Sequence, residues 1–536
     1  MTMLLALTPS SLAQNHSRAV AANSSHYGGT LVWGTINPPT IINPVLTSHS
    51  ISASLLELLF DPLVRINGQR RVIPALAQSW DISKNGLVYT FHLRRHVYFH
   101  DGIECTAQDV KFTYEAIREP SNQSTWRTAT ELVREWRVID PYTIQAILSQ
   151  PMPDFIFKLL REILPKRLYE HTHMLDNIHN YLPVGTGPFH LLSWNRDTNE
   201  ISLAANSAYF EGRPFLDKIV IKTYQDNAAL WAALMRGEVD LALLLNRQDY
   251  EVLSKDPAFK TYPIFSGFYF AIIYNMHDPV LFDYEVRHAI NYAIDRKALM
   301  QETGMNGVES NGPFYPQSPG FNSKVEAASY EPLKAQSILT QHGWKLNKEG
   351  LFEKTGQVLV LTMLVNHNRP DCRQMALVLR QQLSEVGIGL KIVFYDNETQ
   401  LTKDYLARMK PQMWLRMFSG ISSDLSDIAS SWYSSASQFG RLWEYHNPAV
   451  DQLFELGRAL PDGSRRNEIY QRIHAFIYKD QPACFLFFPL SYHAVAATIT
   501  NTDDFFTIYM PTYQLKNWFI KPERRGLHGN YLLWHG

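Results

Sequence analysis

Residues 88–120 read VYTFHLRRHVYFHDGIECTAQDVKFTYEAIREP, and their pattern predicts two extended pieces, a turn and a helix. Residues 88–93 alternate between two sets of side chains, which is the period of a half-buried strand. Residues 97–100 predict a second short strand, and the Asp-Gly pair that follows predicts a turn. Thr106 and Asp109 predict the N-cap pair of a helix that ends at the closing proline. The residues alone therefore predict a β-β-α unit in an α+β or α/β protein.

The same stretch carries the pattern F-x-L-R-x-x-V-x-F-H-D-G-x-x-x-T-A-x-D-V, which resembles the family 5 extracellular solute-binding proteins. These are the peptide, dipeptide and nickel binders of ABC importers. The similarity continues over about residues 28–500. Its other motifs are P-x-L-A-x-S-W at 74–80, G-T-G-P-F at 185–189, G-E-V-D at 237–240 and V-R-H-A-I-N-Y-A-I-D-R at 286–296.

The resemblance implies an α/β fold, namely the two-lobed periplasmic-binding-protein clamp of type II, cluster C, with an additional domain. The first lobe is expected to be discontinuous, because the chain crosses the hinge twice. The expected boundaries are 28–65, 184–275 and 490–536 for lobe I, 66–183 for the additional domain packed on it, and 276–489 for lobe II.

Composition supports a folded protein of several compact units. The chain has 536 residues, 45% hydrophobic and 19% charged, which is too long for one ordinary core. The net charge of −1 gives no reason to expect a nucleic-acid partner. The basic pairs at 70–71, 94–95 and 465–466 are interpreted as solvated surface. Aromatic residues make up 12% of the chain, which large cores explain and an aromatic-lined ligand cleft would also explain.

The first residues suggest secretion. Residues 3–7 form a short apolar run, and Ser11-Leu12-Ala13 resembles a small-x-small cleavage site. The positively charged start of a signal peptide is missing. We expect residues 1–27 to hold a signal-peptide remnant, whose true start lies upstream, and a disordered N-terminus. A periplasmic location follows, with a plain disordered terminus as the alternative.

Coarse patterning predicts the main elements. Helices are expected at 152–164, 228–235, 284–300, 373–386 and 467–479, and strands at 219–224, 241–245, 268–274, 358–365, 390–395 and 412–418. Strand–helix–strand order at 219–245 and 358–395 predicts parallel crossovers.

Signals for enzymes and metal sites are weak. The sequence contains no H-E-x-x-H, G-x-S-x-G or Walker motif. His92, His96 and His100 recur every four residues, but in a strand that spacing spans about 13 Å, too far for one ion. Cys105, Cys372 and Cys484 form no metal-type pair, and their odd number leaves at least one thiol unpaired.

The candidate ligand anchor is Asp424, in the stretch Gly420–Asp427. A carboxylate pair formed with Asp427, or a helix cap, are the alternatives from the residues alone. The stretch resembles the segment G-W-x-x-D-x-x-D-P of the peptide binders, in which the first aspartate anchors the ligand's α-ammonium group. This implies that role for Asp424, although Ile421 and Ile428 replace the tryptophan and the proline.

The remaining candidate ligand contacts are less tightly tied to the motif. Dipeptide binders of the family use an arginine for the ligand carboxylate, at the position that Asn366 occupies here. Arg369, in the same loop, is the expected substitute, because a guanidinium matches a carboxylate. The other candidates are Tyr274, Asn275, Trp432 and Tyr433, each of which either lines the cleft or belongs to the core.

The resulting prediction is a periplasmic substrate-binding protein of an ABC importer. It would capture peptides or peptide-like solutes by hinge closure and deliver them to the inner-membrane permease, as a monomer without catalytic residues, metal or cofactor. A metal-chelate carrier of the nickel or haem type, with the same fold, is the first alternative. A hydrolase or sensor on this scaffold is the second.

Overall fold

The computed structural model describes residues 26–47, 50–68, 71–396, 401, 411–420, 422, 424–434 and 445–524. The chain forms two compact units. Unit 1 comprises Met1–Ile264 and Tyr492–Gly536, and unit 2 comprises Phe265–Ser491. The expected signal-peptide remnant at residues 1–27 lies outside the described residues, apart from its last two positions. Arg70, of the basic pair at 70–71, also lies outside them.

Unit 1 is built around a mixed sheet. Strand Thr30–Thr35 pairs in parallel with Lys218–Thr223 on one side and with Leu241–Leu245 on the other. Helix Asn227–Met235 connects these two outer strands, so the predicted parallel crossover is confirmed. The sheet continues through Glu200–Ala205 to Phe189–Asn195, and the end of strand Ala483–Ala496 pairs with Leu241–Leu245.

The stretch 88–120, with which the sequence analysis begins, contributes a strand to a second sheet in unit 1. Strand Val88–Leu93 alternates between half-buried and buried residues and lies between Ala77–Ile82 and Thr143–Leu148, with Val133–Asp140 at the edge. Helix Ala107–Arg118 follows, and the predicted N-cap is confirmed as a capping box between Thr106 and Asp109. The second strand expected at 97–100 is wrong, because only the single bridge Tyr98–Glu104 forms there.

The remaining elements of unit 1 are short. Among its described residues, the other α-helices are Ser50–Leu59, Lys166–Tyr169 and Arg247–Leu253. Its other strands are Val64–Ile66, Val72–Pro74, Phe259–Phe265, Ile499–Thr500 and Phe519–Ile520.

The helix predicted over 152–164 is wrong. Only the 3₁₀ turn Phe155–Lys158 forms within it, and the next helix is Lys166–Tyr169. The Ile163 amide donates to the Asp61 carbonyl at 2.9 Å, and Glu162 pairs with Pro62 in an isolated bridge. These backbone bonds to a distant segment replace the bonds that a helix would have made within itself.

The G-T-G-P-F motif allows two backbones to approach closely. The Gly187 amide donates to the Leu59 carbonyl at 3.0 Å, at the end of helix Ser50–Leu59. A Cβ at Gly187 would lie 2.4 Å from the Leu59 carbonyl carbon, and one at Gly185 would lie 1.9 Å from the Leu59 oxygen. Only glycine fits at these positions, so the motif serves packing and not phosphate binding.

Unit 2 contains a second mixed sheet, in the order Gly389–Tyr395, Val360–Asn366, Met413–Ser419, Phe268–Tyr274 and the first part of Ala483–Ala496. The first three strands are parallel to one another. Phe268–Tyr274 is antiparallel to Met413–Ser419 on one side and to Ala483–Ala496 on the other. The predicted βαβ unit is therefore confirmed, with helix Pro370–Glu385 as its crossover. Strand Phe268–Tyr274, which we assigned to lobe I, lies in unit 2 because both of its partners are there.

In the described part of unit 2, the other α-helices are Pro279–Phe282, Tyr284–Ala293, Arg296–Glu302, Pro332–Gln341, Leu425–Ser430, Pro448–Arg458 and Ser464–Asp480. Its short strands are Gly307–Glu309, Lys345–Leu346, Phe352–Lys354 and Gln357–Val358.

The helix expected over 284–300 is interrupted after Ala293. Ile294 takes an extended conformation, and Asp295 caps a new helix by accepting from the Ala298 amide. The next residue, Arg296, is buried and donates to the Phe485 carbonyl at 2.8 Å. The break in the helix therefore places the guanidinium group of Arg296 inside unit 2, where it donates hydrogen bonds to backbone carbonyls.

Each unit has its own core, of aliphatic and aromatic side chains. Cys105, Cys372 and Cys484 are buried free thiols. Within the described part of the chain, every helix is too short or too polar to cross a bilayer.

Candidate functional site

Three parallel strands of unit 2 end at the same edge of its sheet. Asn366 pairs with Tyr395 at the ends of two of them, and Ser419 ends the third. We call this edge, with the described residues that directly follow the three strands, the carboxyl edge. Ligands of open α/β sheets bind outside the carboxyl ends of the strands, so this edge is the candidate site of unit 2.

Arg369 lies in the loop that leaves the carboxyl edge and stands at the N-cap position of helix Pro370–Glu385. Its guanidinium forms a two-bond ion pair with Asp371, Nε–Oδ1 at 3.0 Å, and an Nη2 contact of 3.3 Å with the sulfur of Met417. The hydrogen bonds that its guanidinium donates to Asp371 raise the pKa of Arg369. The side chain is 37% exposed, so a solute anion has access to it.

Asn366 is the last residue of its strand, and its side chain is used locally. Its Oδ1 accepts from the Asn368 amide at 2.9 Å, which shapes the turn towards Arg369. The structure thus brings Asn366 and Arg369 into one loop. A ligand contact for either residue stays a prediction.

Asp424 follows strand Met413–Ser419 and caps helix Leu425–Ser430, with Oδ1 accepting from the Ser426 amide at 2.6 Å. Its carboxylate also accepts two hydrogen bonds of 2.7 Å from Arg466, one on each oxygen. Asp424 is 0% exposed and Arg466 2%. Sequence patterning did not reveal this buried ion pair.

Electrostatics holds Asp424 in its charged form. Burial opposes ionisation, but the hydrogen bonds and charge of Arg466 outweigh it and lower the pKa of Asp424. Arg466 completes its shell by donating to the Gly457 carbonyl and to Asp462, both at 2.9 Å. A ligand ammonium group would have to compete with this arginine for a carboxylate that is already satisfied.

Interpreting the pair Arg465-Arg466 as solvated surface is therefore wrong for Arg466. Helix Ser464–Asp480 turns this residue inward, where Tyr470 and Ile473 are also buried. The available signal was the spacing of Arg466 from these two residues, four and seven positions further on, which places all three on one helix face.

The two aromatic candidates after Asp424 pack inside unit 2. Trp432 is 2% exposed, with its ring centroid 5.3 Å from that of Phe485 and 6.3 Å from that of Phe418. Tyr433 is half-buried and stacks on Phe454 at 4.5 Å. In this structure Trp432 has the core role that the sequence left open. A ligand contact by Tyr433 stays a prediction.

Tyr274 and Asn275 lie at the other edge of the sheet. Strand Phe268–Tyr274 runs antiparallel to Met413–Ser419, with Tyr274 opposite Met413 and Phe268 opposite Ser419. Seven residues of strand separate the two edges by about 20 Å. Tyr274 is 1% exposed and belongs to the core. Asn275 closes a turn by accepting from the His277 amide and donating to the Pro411 carbonyl.

The structure also identifies aromatic residues near the carboxyl edge that patterning had missed. Tyr269 stacks on Phe418 with centroids 5.3 Å apart and contacts Phe488 at 5.5 Å. A Cβ at Gly420 would lie 2.8 Å from Phe488, so this glycine lets the loop pass over the rings. Phe268, at the same edge, is 41% exposed.

The chemistry available at this edge suits binding. It offers a partly exposed guanidinium, amide and hydroxyl groups, and aromatic surface. Among the described residues, no three His, Cys, Asp or Glu side chains gather as a group that could hold a metal ion.

Comparison with known proteins identifies the family. The model of the bacterial extracellular solute-binding proteins, family 5 (middle), matches residues 71–440. The oligopeptide-binding protein AppA of Bacillus subtilis is 26% identical over 97% of this chain and 97% of its own length. The dipeptide-binding protein of Escherichia coli is 27% identical over 87% of this chain and 90% of its own.

A solved structure agrees with this. NikZ from Campylobacter jejuni, in complex with Ni(L-His), superimposes with a TM-score of 0.71 at 26% identity, covering 91% of this chain and 99% of that one. The similarity extends across both units, and the fold is that of the two-lobed solute-binding proteins. The chain belongs to the family 5 bacterial extracellular solute-binding proteins.

Proposed function

We propose that this protein captures a peptide or a peptide-like compound outside the cytoplasmic membrane and delivers it to an ABC permease. The family is one of extracellular solute-binding proteins, and two relatives that align over most of the chain are named for oligopeptide and dipeptide binding. Capture without bond cleavage is part of the proposal.

The observation that carries the proposal is the position of Arg369. A guanidinium at the carboxyl edge, held by Asp371 and 37% exposed, can exchange or share its partner with the carboxylate of a peptide. Peptide backbone groups would bond to loop amides and carbonyls, and side chains would occupy tolerant, hydrated pockets.

The ammonium-anchor role of Asp424 remains a separate prediction. It requires the ligand to compete with Arg466, so we propose Arg369 as the main charged anchor of unit 2. We further propose that ligand capture drives hinge closure, since a ligand shifts a conformational equilibrium only through its preference for one state.

Calorimetric titration with a matched peptide series tests the proposal. The series has free termini, an amidated C-terminus, or an acetylated N-terminus. We expect saturable one-to-one binding of the free peptide, and binding at least about tenfold weaker for the amidated form, as for loss of a charge-assisted contact. Equal binding of the free and amidated forms would remove the carboxylate anchor.

A carrier of a metal chelate is the second candidate, because the superimposed NikZ holds Ni(L-His). Nickel–histidine complexes and haemin are therefore titrated in parallel with the peptides. Binding of either, with no peptide of the series bound, would replace the peptide proposal by this one.

A further inference from the structure

A cavity of about 150 Å³ lies wholly within unit 1. Apolar and aromatic walls, including Phe60, Leu160 and Pro511, surround a charged lining. The charged residues of that lining are Glu57, Asp61, Arg65, Arg161 and Glu162. A cavity of this size accommodates a molecule of about six heavy atoms.

Two of these charges cancel each other. Asp61 accepts from Arg65 at 2.5 Å, and also from the hydroxyl groups of Tyr209 and Thr186, both at 2.8 Å. Arg65 in turn stacks over the Tyr513 ring at 4.5 Å. Asp61 and Arg65 therefore form an ion pair on one wall, in which both oxygens of Asp61 accept hydrogen bonds. Arg65 also pairs with Glu211 at 3.2 Å, and its Nε has no hydrogen-bond partner among the described residues.

Glu162 is not satisfied in the same way. It is 3% exposed, and its Oε2 has no hydrogen-bond partner among the described residues. Burial raises the pKa of Glu162 and outweighs the nearby Arg161, which favours the charged form but places its guanidinium over the Trp126 ring, 4.0 Å from the centroid. Burying a carboxylate oxygen without a hydrogen-bond donor costs free energy, which indicates that the cavity normally contains a group that donates to it.

Glu57, on helix Ser50–Leu59, faces the same space. Its Oε2 accepts from the Tyr513 amide at 3.3 Å. Burial, and then repulsion from Glu162, raises the pKa of Glu57 to about 7. Arg65 and the amides of Thr512 and Tyr513 act in the opposite direction. With both glutamates ionised, the lining carries three carboxylates against two guanidinium groups, a deficit of one positive charge.

We propose that this cavity binds one small organic cation, of the alkylammonium or alkylguanidinium class, with its charged end facing Glu57 and Glu162. The cation supplies the missing charge and the missing donor at Glu162. Its alkyl part lies against the apolar walls, which would not solvate a hydrated metal ion. Three of the residues that line the cavity, Glu57, Arg161 and Tyr509, are only half-buried.

The proposal predicts a specific pH dependence. Protonation of Glu57 removes half of the negative charge that faces the cation, so protons compete with it. For a pKa of about 7, raising the pH from 6 to 8 should strengthen binding about tenfold. The cation is independent of the transported solute, so Arg369→Ala should leave it bound.

The test is calorimetric titration of the full chain with methylguanidinium chloride, against sodium chloride of equal ionic strength. We expect one saturable site, at least about tenfold weaker affinity in Glu162→Gln and in Glu57→Gln, and no change in Glu131→Gln, an exposed acid of the same unit. Circular dichroism and melting curves identify any variant that fails to fold, and the other variant then decides.

Three results would overturn the proposal. These are no saturable binding at pH 8, binding that both glutamine variants retain, and a pH-dependent heat without any dependence on methylguanidinium. The last result would mean that a proton alone occupies the site. Peptide binding is measured separately on the same variants, so failure of this site does not bear on the transport function.

Discussion

Asp424 and Arg466 form a bidentate ion pair inside unit 2, with both nitrogen–oxygen distances at 2.7 Å and both side chains at most 2% exposed. The pair joins the loop after strand Met413–Ser419 to helix Ser464–Asp480. Asp424, whose surrounding sequence resembles a ligand-binding motif, therefore also holds two segments of unit 2 together.

Asp424→Asn should destabilise the protein. It leaves the Arg466 charge buried without its carboxylate, for which the cost is about 3–5 kcal/mol. Because Asp462 still accepts from Arg466, we expect the lower end of this range. Urea unfolding followed by circular dichroism measures the loss, with the exposed Asp427→Asn as the control. Unchanged stability with weaker binding of free-amine peptides would instead make Asp424 a ligand anchor.

Arg369→Ala should separate binding from stability. Its ion pair with Asp371 is partly solvated, so we expect the free energy of unfolding to fall by less than about 1 kcal/mol. Affinity for a peptide with a free C-terminus should fall at least about tenfold, and affinity for the amidated peptide should not change. Arg380→Ala, on an exposed turn of the same helix, is the matched control. Equal losses for both peptides would count against a carboxylate contact.

Glu57 should make unit 1 less stable as the pH rises. Its pKa is about 7 in the folded protein against 4.5 for the ordinary group. Between these values the folded state binds a proton that the unfolded chain has released, so unfolding free energy falls with increasing pH. We expect Glu57→Gln to gain about 1–3 kcal/mol relative to wild type between pH 5 and pH 8. Parallel pH profiles for the two proteins would contradict the assigned pKa.

Gly187→Ala should disrupt unit 1. The added methyl group would lie 2.4 Å from the Leu59 carbonyl carbon. A Cβ is fixed by its own backbone, and the Leu59 carbonyl is backbone, so neither group can rotate away. We expect a loss of more than about 3 kcal/mol, against about 1 kcal/mol for Gly212→Ala, where the methyl group meets nothing within 4 Å but φ is +96°. Melting curves of the two variants provide the comparison, and equal melting temperatures would show that the backbone yields.

Local patterns predicted much of the fold. The strand at 88–93, the capping box at Thr106 and the βαβ unit around helix Pro370–Glu385 formed as expected, because each depends on neighbours in sequence. The helix expected at 152–164 failed because its backbone bonds to Asp61 and Pro62, which are distant in sequence. Competition from such partners is invisible to periodicity.

The site was harder to predict for a similar reason. Patterning placed Asn366, Arg369 and Asp424 after strand ends, and the parallel pairing put those ends at one edge. It could not show that Phe268–Tyr274 runs antiparallel, which moves Tyr274 and Asn275 to the other edge. Nor could it show that Arg466, forty-two positions from Asp424, occupies the carboxylate.

Native mass spectrometry of the full chain after incubation with a peptide library distinguishes a carrier from a hydrolase. We expect one intact peptide per protein molecule, with the peptides of the library recovered uncleaved. Unliganded protein accompanied by peptide fragments would contradict it, because such a protein would be a hydrolase on this fold and not a carrier.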